Sequence, residues 1–173
     1  MNELLPIERF LQTLEIVSRE ATHLTFSWER LYSQKIDADW VRGLDVNPEL
    51  AERLEAFVSR FGRMQDTIAD KLLPRWLTAL AESPGSQIET LNRAERLGVL
   101  QNVELWLEAR KLRNRLIHEY IVSAEGFAED LKLARDYSHI LLDCFNALLE
   151  YASQRMKIDS KKLPKPQFID TER

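Results

Sequence analysis

The sequence predicts an all-α protein, an up-and-down bundle of four to five antiparallel helices. Two observations carry that expectation. Apolar residues recur at alternating steps of three and four along most of the chain, the pattern of helices that bury one stripe. Only five of the 173 residues are glycine, and the abundance of Leu, Ala, Glu and Arg over β-branched residues favours helix. Nothing alternates with period two for long enough to make a strand. A chain of 173 residues is one domain with one core. Its bundle is expected over 1–156, and a mobile Lys/Pro-rich tail without periodicity over 157–173.

The first helix is predicted from Ile7, Phe10, Leu14, Val17, Ala21, Leu24, Trp28 and Leu31, with His23 beside the stripe in a packing or surface role. Residues 36–46, with Gly43 and several aspartates, read as a loop. Asn47-Pro48 has the form of an N-cap followed by proline at the first helical position. The second helix then buries Leu50, Leu54, Phe57, Phe61, Met64 and Ile68. Pro74 is expected to kink or end it, because proline removes a backbone bond and crowds the preceding turn. Trp76, Leu77 and Leu80 carry apolar character further, until Ser83-Pro84-Gly85 stops the chain.

Ser86-x-x-Glu89 predicts a capping box on a short third helix, with Ile88, Leu91 and Leu97 inward and Gly98 at its end. Asn102 is expected to cap a fourth helix whose core stripe is Leu105, Ala109, Leu112 and Leu116. A turn through Ser123–Gly126 leads to a fifth helix that buries Phe127, Leu131, Ala134, Leu141, Phe145, Leu148 and Ala152. His139 and Cys144 lie on it as packing or surface residues.

Charged residues make up 30% and hydrophobic residues 45% of the chain, a globular balance rather than a disordered one. A single cysteine allows no internal disulfide, the N-terminus has no signal-peptide pattern, and no apolar run approaches a membrane span. A cytoplasmic protein without membrane contact is the expectation. The net charge of −4 argues against non-specific attraction of nucleic acid by the whole surface. Contact with RNA must therefore be local, and the dense basic cluster is Arg110, Lys111, Arg113 and Arg115.

That cluster surrounds Leu112–Tyr120, which reads Leu-Arg-Asn-Arg-Leu-Ile-His-Glu-Tyr. On an ideal helix Arg113 and Tyr120 point almost the same way, whereas Arg113 and His118 diverge by about 140°. A long arginine side chain, a bend near Tyr120 or a cleft shared by two chains would close that gap. The residue types suit RNA phosphodiester cleavage with the ribose 2′-OH as nucleophile. Histidine titrates near neutrality and moves protons, and arginine grips phosphate oxygens and stabilises transition-state charge. Asn114 would orient His118 or touch the phosphate, with Arg110 and Arg115 as supporting phosphate contacts. No metal-ligand set stands out. The plainer alternative is a basic helix end that interacts with its own dipole, with Tyr120 capping the core.

Arg113, Asn114, His118 and Tyr120 also match a family pattern: Arg, four residues, His, one residue, Tyr. The chain resembles the HEPN superfamily, and within it the HepT-like branch, over most of 47–156. That resemblance implies a dimeric helical bundle and a metal-independent endoribonuclease, the toxin of a toxin–antitoxin pair, with Arg113 and His118 catalytic at the dimer cleft. It implies no cofactor, but a partner, a minimal nucleotidyltransferase antitoxin that neutralises the toxin by transferring AMP to Tyr120. Two other readings stand beside it. One is a non-catalytic HEPN protein that binds nucleotide or serves as the substrate-binding subunit of a nucleotidyltransferase. The other is a bundle that only dimerises.

Overall fold

Helix α1, Pro6–Leu31, starts with proline in its first turn and with Glu8 accepting the Leu5 N–H at 3.0 Å, which satisfies one donor left over at a helix start. The computed structural model describes residues 3–118 and 123–170, the side chain of His118 excepted. After α1 come α2 (Ala38–Arg42), α3 (Pro48–Thr67), α4 (Leu73–Ala79), α5 (Gln87–Arg96), α6 (Val103–His118) and α7 (Ala124–Gln154). No strand occurs among the described residues. The predicted α1 stripe is buried from Phe10 to Leu31 and packs along α3 and α4. At its end, the Trp28 indole N–H donates to the Arg135 carbonyl at 3.0 Å and the Tyr32 hydroxyl to the Leu131 carbonyl at 2.5 Å. Both bonds pin α1 to α7.

The expected loop over 36–46 is instead helical: α2 runs into a 3-10 turn at Gly43–Val46. Asp37 caps it by accepting the Trp40 N–H at 2.8 Å. Ile36, Val41 and Leu44 are buried, and α2 packs on α7. So few residues cannot register as a period, which is why the sequence reads as a loop there.

The second predicted helix begins where Asn47-Pro48 places it, with Asn47 accepting the Leu50 N–H at 3.2 Å. It does not end at Pro74. The ordinary pattern widens into a π turn at Ile68–Leu72, and α4 follows directly. Proline lacks the N–H that the preceding turn would receive and its ring crowds that turn. A π turn is one of the few ways to accommodate such a defect without a break. The inner face stacks Phe57 on Phe61 with centroids 5.8 Å apart.

The capping box on α5 forms as predicted: Glu89 N–H donates to Ser86 Oγ at 3.2 Å, and Ser86 N–H to Glu89 Oε2 at 3.3 Å. Gly98 follows the helix at φ 81°, a left-handed conformation that glycine adopts without penalty. Two inward assignments fail. Ile88 is 46% and Leu105 37% exposed; Thr90, Leu91 and Ala94 face inward on α5, and Val103, Trp106, Ala109, Leu112 and Leu116 on α6. Asn102 does cap α6, accepting the Leu105 N–H at 3.2 Å.

Ser123 caps α7 by accepting the Gly126 N–H at 3.1 Å, so Gly126 lies inside the helix rather than in a turn. The predicted stripe from Phe127 to Ala152 is buried, and so is Cys144. His139 is partly covered, its ring edge-on to Trp28. Residues 157–170, expected as a mobile tail, are tied to the bundle. Asn146 and the Gln167 backbone exchange two hydrogen bonds of 2.9 Å, Gln167 Nε2 donates to Thr22, and Ile169 is buried. One amide side chain that pairs with both polar groups of an extended residue anchors a segment without periodicity. No described helix is long and apolar enough to cross a membrane.

Candidate functional site

Arg113 lies in an open groove of about 640 Å³ between α3, the π turn and α6, with Phe127 of α7 at one end. Its seat is made by a glycine. The arginine shaft runs across Gly62 of α3, so close that a Cβ there would stand 2.7 Å from Arg113 Nε and 3.2 Å from Cγ. Glycine inside a helix costs roughly 1 kcal/mol relative to alanine, and here its missing side chain is the space the arginine occupies. One turn later, Asp66 Oδ1 accepts from Arg113 Nη1 at 2.9 Å. The arginine side chain is 24% exposed and the aspartate 48%, so the guanidinium is the inner and the carboxylate the outer partner. Arg113 Nε is buried without a hydrogen-bond partner.

Gln65, the neighbour of Asp66, is buried and donates through Nε2 to the Ala109 carbonyl at 3.3 Å. That bond ties α3 to α6 next to the groove. Along the walls, Glu55, Asp66 and Asp70 face Arg63, Lys71 and Arg113, so the formal charges balance. Leu54, Val58, Leu116 and Ile117 supply apolar lining beside these charges.

The rest of the predicted basic cluster is divided over several faces of α6. Arg115 makes two hydrogen bonds with Asp130 of α7, at 3.1 and 3.0 Å. Arg110 donates to Gln87 Oε1, and Gln87 Nε2 donates to Asp70 Oδ1 at 2.5 Å. Lys111 pairs with Glu108 at 3.4 Å in an exposed contact of the kind that contributes little. Asn114 is exposed and is not part of the groove wall. Arg110 and Arg115, expected as phosphate contacts beside Arg113, do not line its groove. At about 100° per residue, consecutive basic residues on a helix turn away from one another, and carboxylates or an amide on the neighbouring elements take them up. The His118 side chain and Tyr120 lie outside the described residues. Among the described side chains, Arg113 is the predicted site residue that reaches the groove.

Asp66 and Gly62 are absent from the sequence-based expectation. A glycine in the middle of a strongly amphipathic helix was the available signal, because such a residue often marks close approach of another group. Gly62, Asp66 and Asp70 also follow one another at steps of four, one polar ridge beside the buried stripe.

Behind that ridge Glu20 of α1 accepts from the Thr67 hydroxyl at 2.9 Å, and its Oε1 is buried without a partner. Burial raises the Glu20 pKa, against the hydrogen bond from Thr67 and the nearby Arg63 and Lys71, which lower it. A carboxyl whose folded pKa is raised gives stability that is complete below its unfolded pKa and is lost as pH rises through the folded one. Glu20→Gln is therefore expected to melt above wild type at pH 7, by less than ~1 kcal/mol because the site is only half-buried. The difference should vanish near pH 4. Melting temperatures of both proteins across that range check this; a constant offset would assign the effect to packing. No family model, no curated protein and no solved structure matches this chain.

Proposed function

We propose that the protein is a metal-independent endoribonuclease of the HepT-like type that holds the scissile phosphate at Arg113 and moves protons with His118. The observation that carries this reading is the seat of Arg113: a guanidinium fixed over Gly62, open to a groove and held by one carboxylate oxygen. An arginine that served only to stabilise the helix end would need neither the cleared backbone nor the groove.

In this reaction the ribose 2′-oxygen attacks phosphorus and gives its proton to one imidazole. The bond from phosphorus to the 5′-oxygen breaks, and that oxygen takes a proton from a second imidazole, leaving a 2′,3′-cyclic phosphate and a 5′-hydroxyl. A dimer with one His118 from each chain supplies both groups. Arg113 stabilises the charge that grows on the non-bridging oxygens. AMP transferred to Tyr120 by a partner nucleotidyltransferase would bring bulk and negative charge to the phosphate position, which explains neutralisation in physical terms. The apolar lining of the groove, Leu54, Val58 and Leu116, favours a second reading in which the site binds a nucleotide without cleaving RNA.

The experiment is RNA degradation by the purified protein with a chelator present. Wild type should cleave and His118→Ala should not, with unchanged helical circular dichroism. Equal cleavage by both proteins sinks the nuclease, and nucleotide binding without any cleavage selects the second reading.

A further inference from the structure

The two partners of the Arg113–Asp66 pair differ in a way that predicts which of them yields to a ligand. The arginine is wedged: its shaft lies against the α3 backbone at Gly62, and it is the more buried of the two at 24% exposure against 48%. The aspartate is short and outward, and a single contact of 2.9 Å through Oδ1 joins it to the arginine. A planar guanidinium offers a fork that suits two oxygens at once. Asp66 leaves that fork half used.

We propose that Asp66 is a removable occupant of the phosphate site, a carboxylate that fills the Arg113 fork until a phosphoryl oxygen displaces it. This rests on the reading of the groove as a phosphate site, though not on any cleavage step. A phosphate brings more charge and a second acceptor to the same donors, while a half-exposed single-contact pair resists little. The displaced carboxylate has somewhere to go. Arg63, one turn earlier on α3, lines the same groove, and residues three apart are neighbours on a helix. Asp66 thus sets the affinity of the groove, raising the threshold against small anions while admitting a multiply contacting nucleic-acid phosphate.

The test is the affinity of inorganic phosphate for the full chain, measured by titration calorimetry at low ionic strength. Asp66→Asn should tighten phosphate binding about three- to tenfold, since it removes both the competitor and its repulsion of the incoming anion. Asp66→Glu should stay near wild type. The double variant Asp66→Asn/Arg113→Ala should lose the gain. A residue that merely positions Arg113 predicts the opposite sign, so weaker or unchanged binding by Asp66→Asn overturns the inference, and so does a lack of phosphate binding in every variant. Asp66→Ala serves as a second probe with the same expected direction. Tighter phosphate binding in a protein that cleaves no RNA would leave the inference standing and remove the nuclease reading alone.

Discussion

On the proposed ribonuclease reading, Gly62→Ala is expected to lower RNA cleavage by about two to three orders of magnitude, as much as Arg113→Ala, while leaving the melting temperature close to wild type. The two halves of that result have separate causes. Alanine in place of glycine inside α3 gains roughly 0.8–1 kcal/mol of helix propensity. Against it stands the new methyl group, 2.7 Å from Arg113 Nε and 3.2 Å from Cγ. The Cγ contact asks for a shift of a few tenths of an ångström and the Nε contact for a larger one, so the guanidinium is displaced from its seat. The loss of the Asp66 contact then costs ~0.2–1 kcal/mol, the range for a partly exposed pair. Stability terms of similar size and opposite sign cancel, whereas the catalytic loss has nothing to offset it. Parallel measurement of melting temperature and cleavage rate checks both halves. Full cleavage by Gly62→Ala would mean that Arg113 does not work from this seat.

That prediction turns on a residue the sequence alone does not bring forward, and the reason is physical. The described part of the motif, 112–118, is readable because it lies within two turns of α6, where spacing fixes relative direction. Asp66 is 47 positions from Arg113, and nothing in a helical period says which turn of α3 meets which turn of α6. The basic cluster misleads for the same reason. Arg110, Arg113 and Arg115 look like one patch as letters, yet Gln87, Asp66 and Asp130 draw them to different neighbours.

Much of the fold is legible, because α1, α3 and α7 are long enough for a buried stripe to repeat many times. Caps read equally well: Asn47, Ser86 and Asn102 each accept a backbone N–H in the first turn they were expected to open. Short or aperiodic segments are where reading stops. The α2 turn has too few residues for a period, and 157–170 is held by Asn146 and Ile169 rather than by a stripe. Ile88 and Leu105 sit at the exposed starts of α5 and α6, where one residue of phase error moves a side chain by about 100°.

The core carries a pH dependence of its own, and alkaline unfolding is expected to be steep. Burial pushes the Cys144 thiol from its ordinary 9.0 up to about 12, with the neighbouring Asp143 charge adding to the shift. Burial likewise raises the Tyr32 phenol above its ordinary value of 10.0, and its hydroxyl donates to the Leu131 carbonyl. Both groups keep their protons longer folded than unfolded, so across this window the native state binds more protons and stability falls with rising pH. Their contribution is complete below the unfolded values and is lost as pH climbs through the folded ones. Each group contributes a slope of up to about 1.4 kcal/mol per pH unit once its unfolded form ionises. Urea unfolding at several alkaline pH values measures the slope, and the variants Cys144→Ala and Tyr32→Phe should each make it shallower. Those variants also lower stability at neutral pH, through a small cavity and a lost hydrogen bond, by about 1 kcal/mol each. That loss moves the intercept and not the slope. A double variant whose slope matched wild type would place the alkaline sensitivity outside the α1–α7 core.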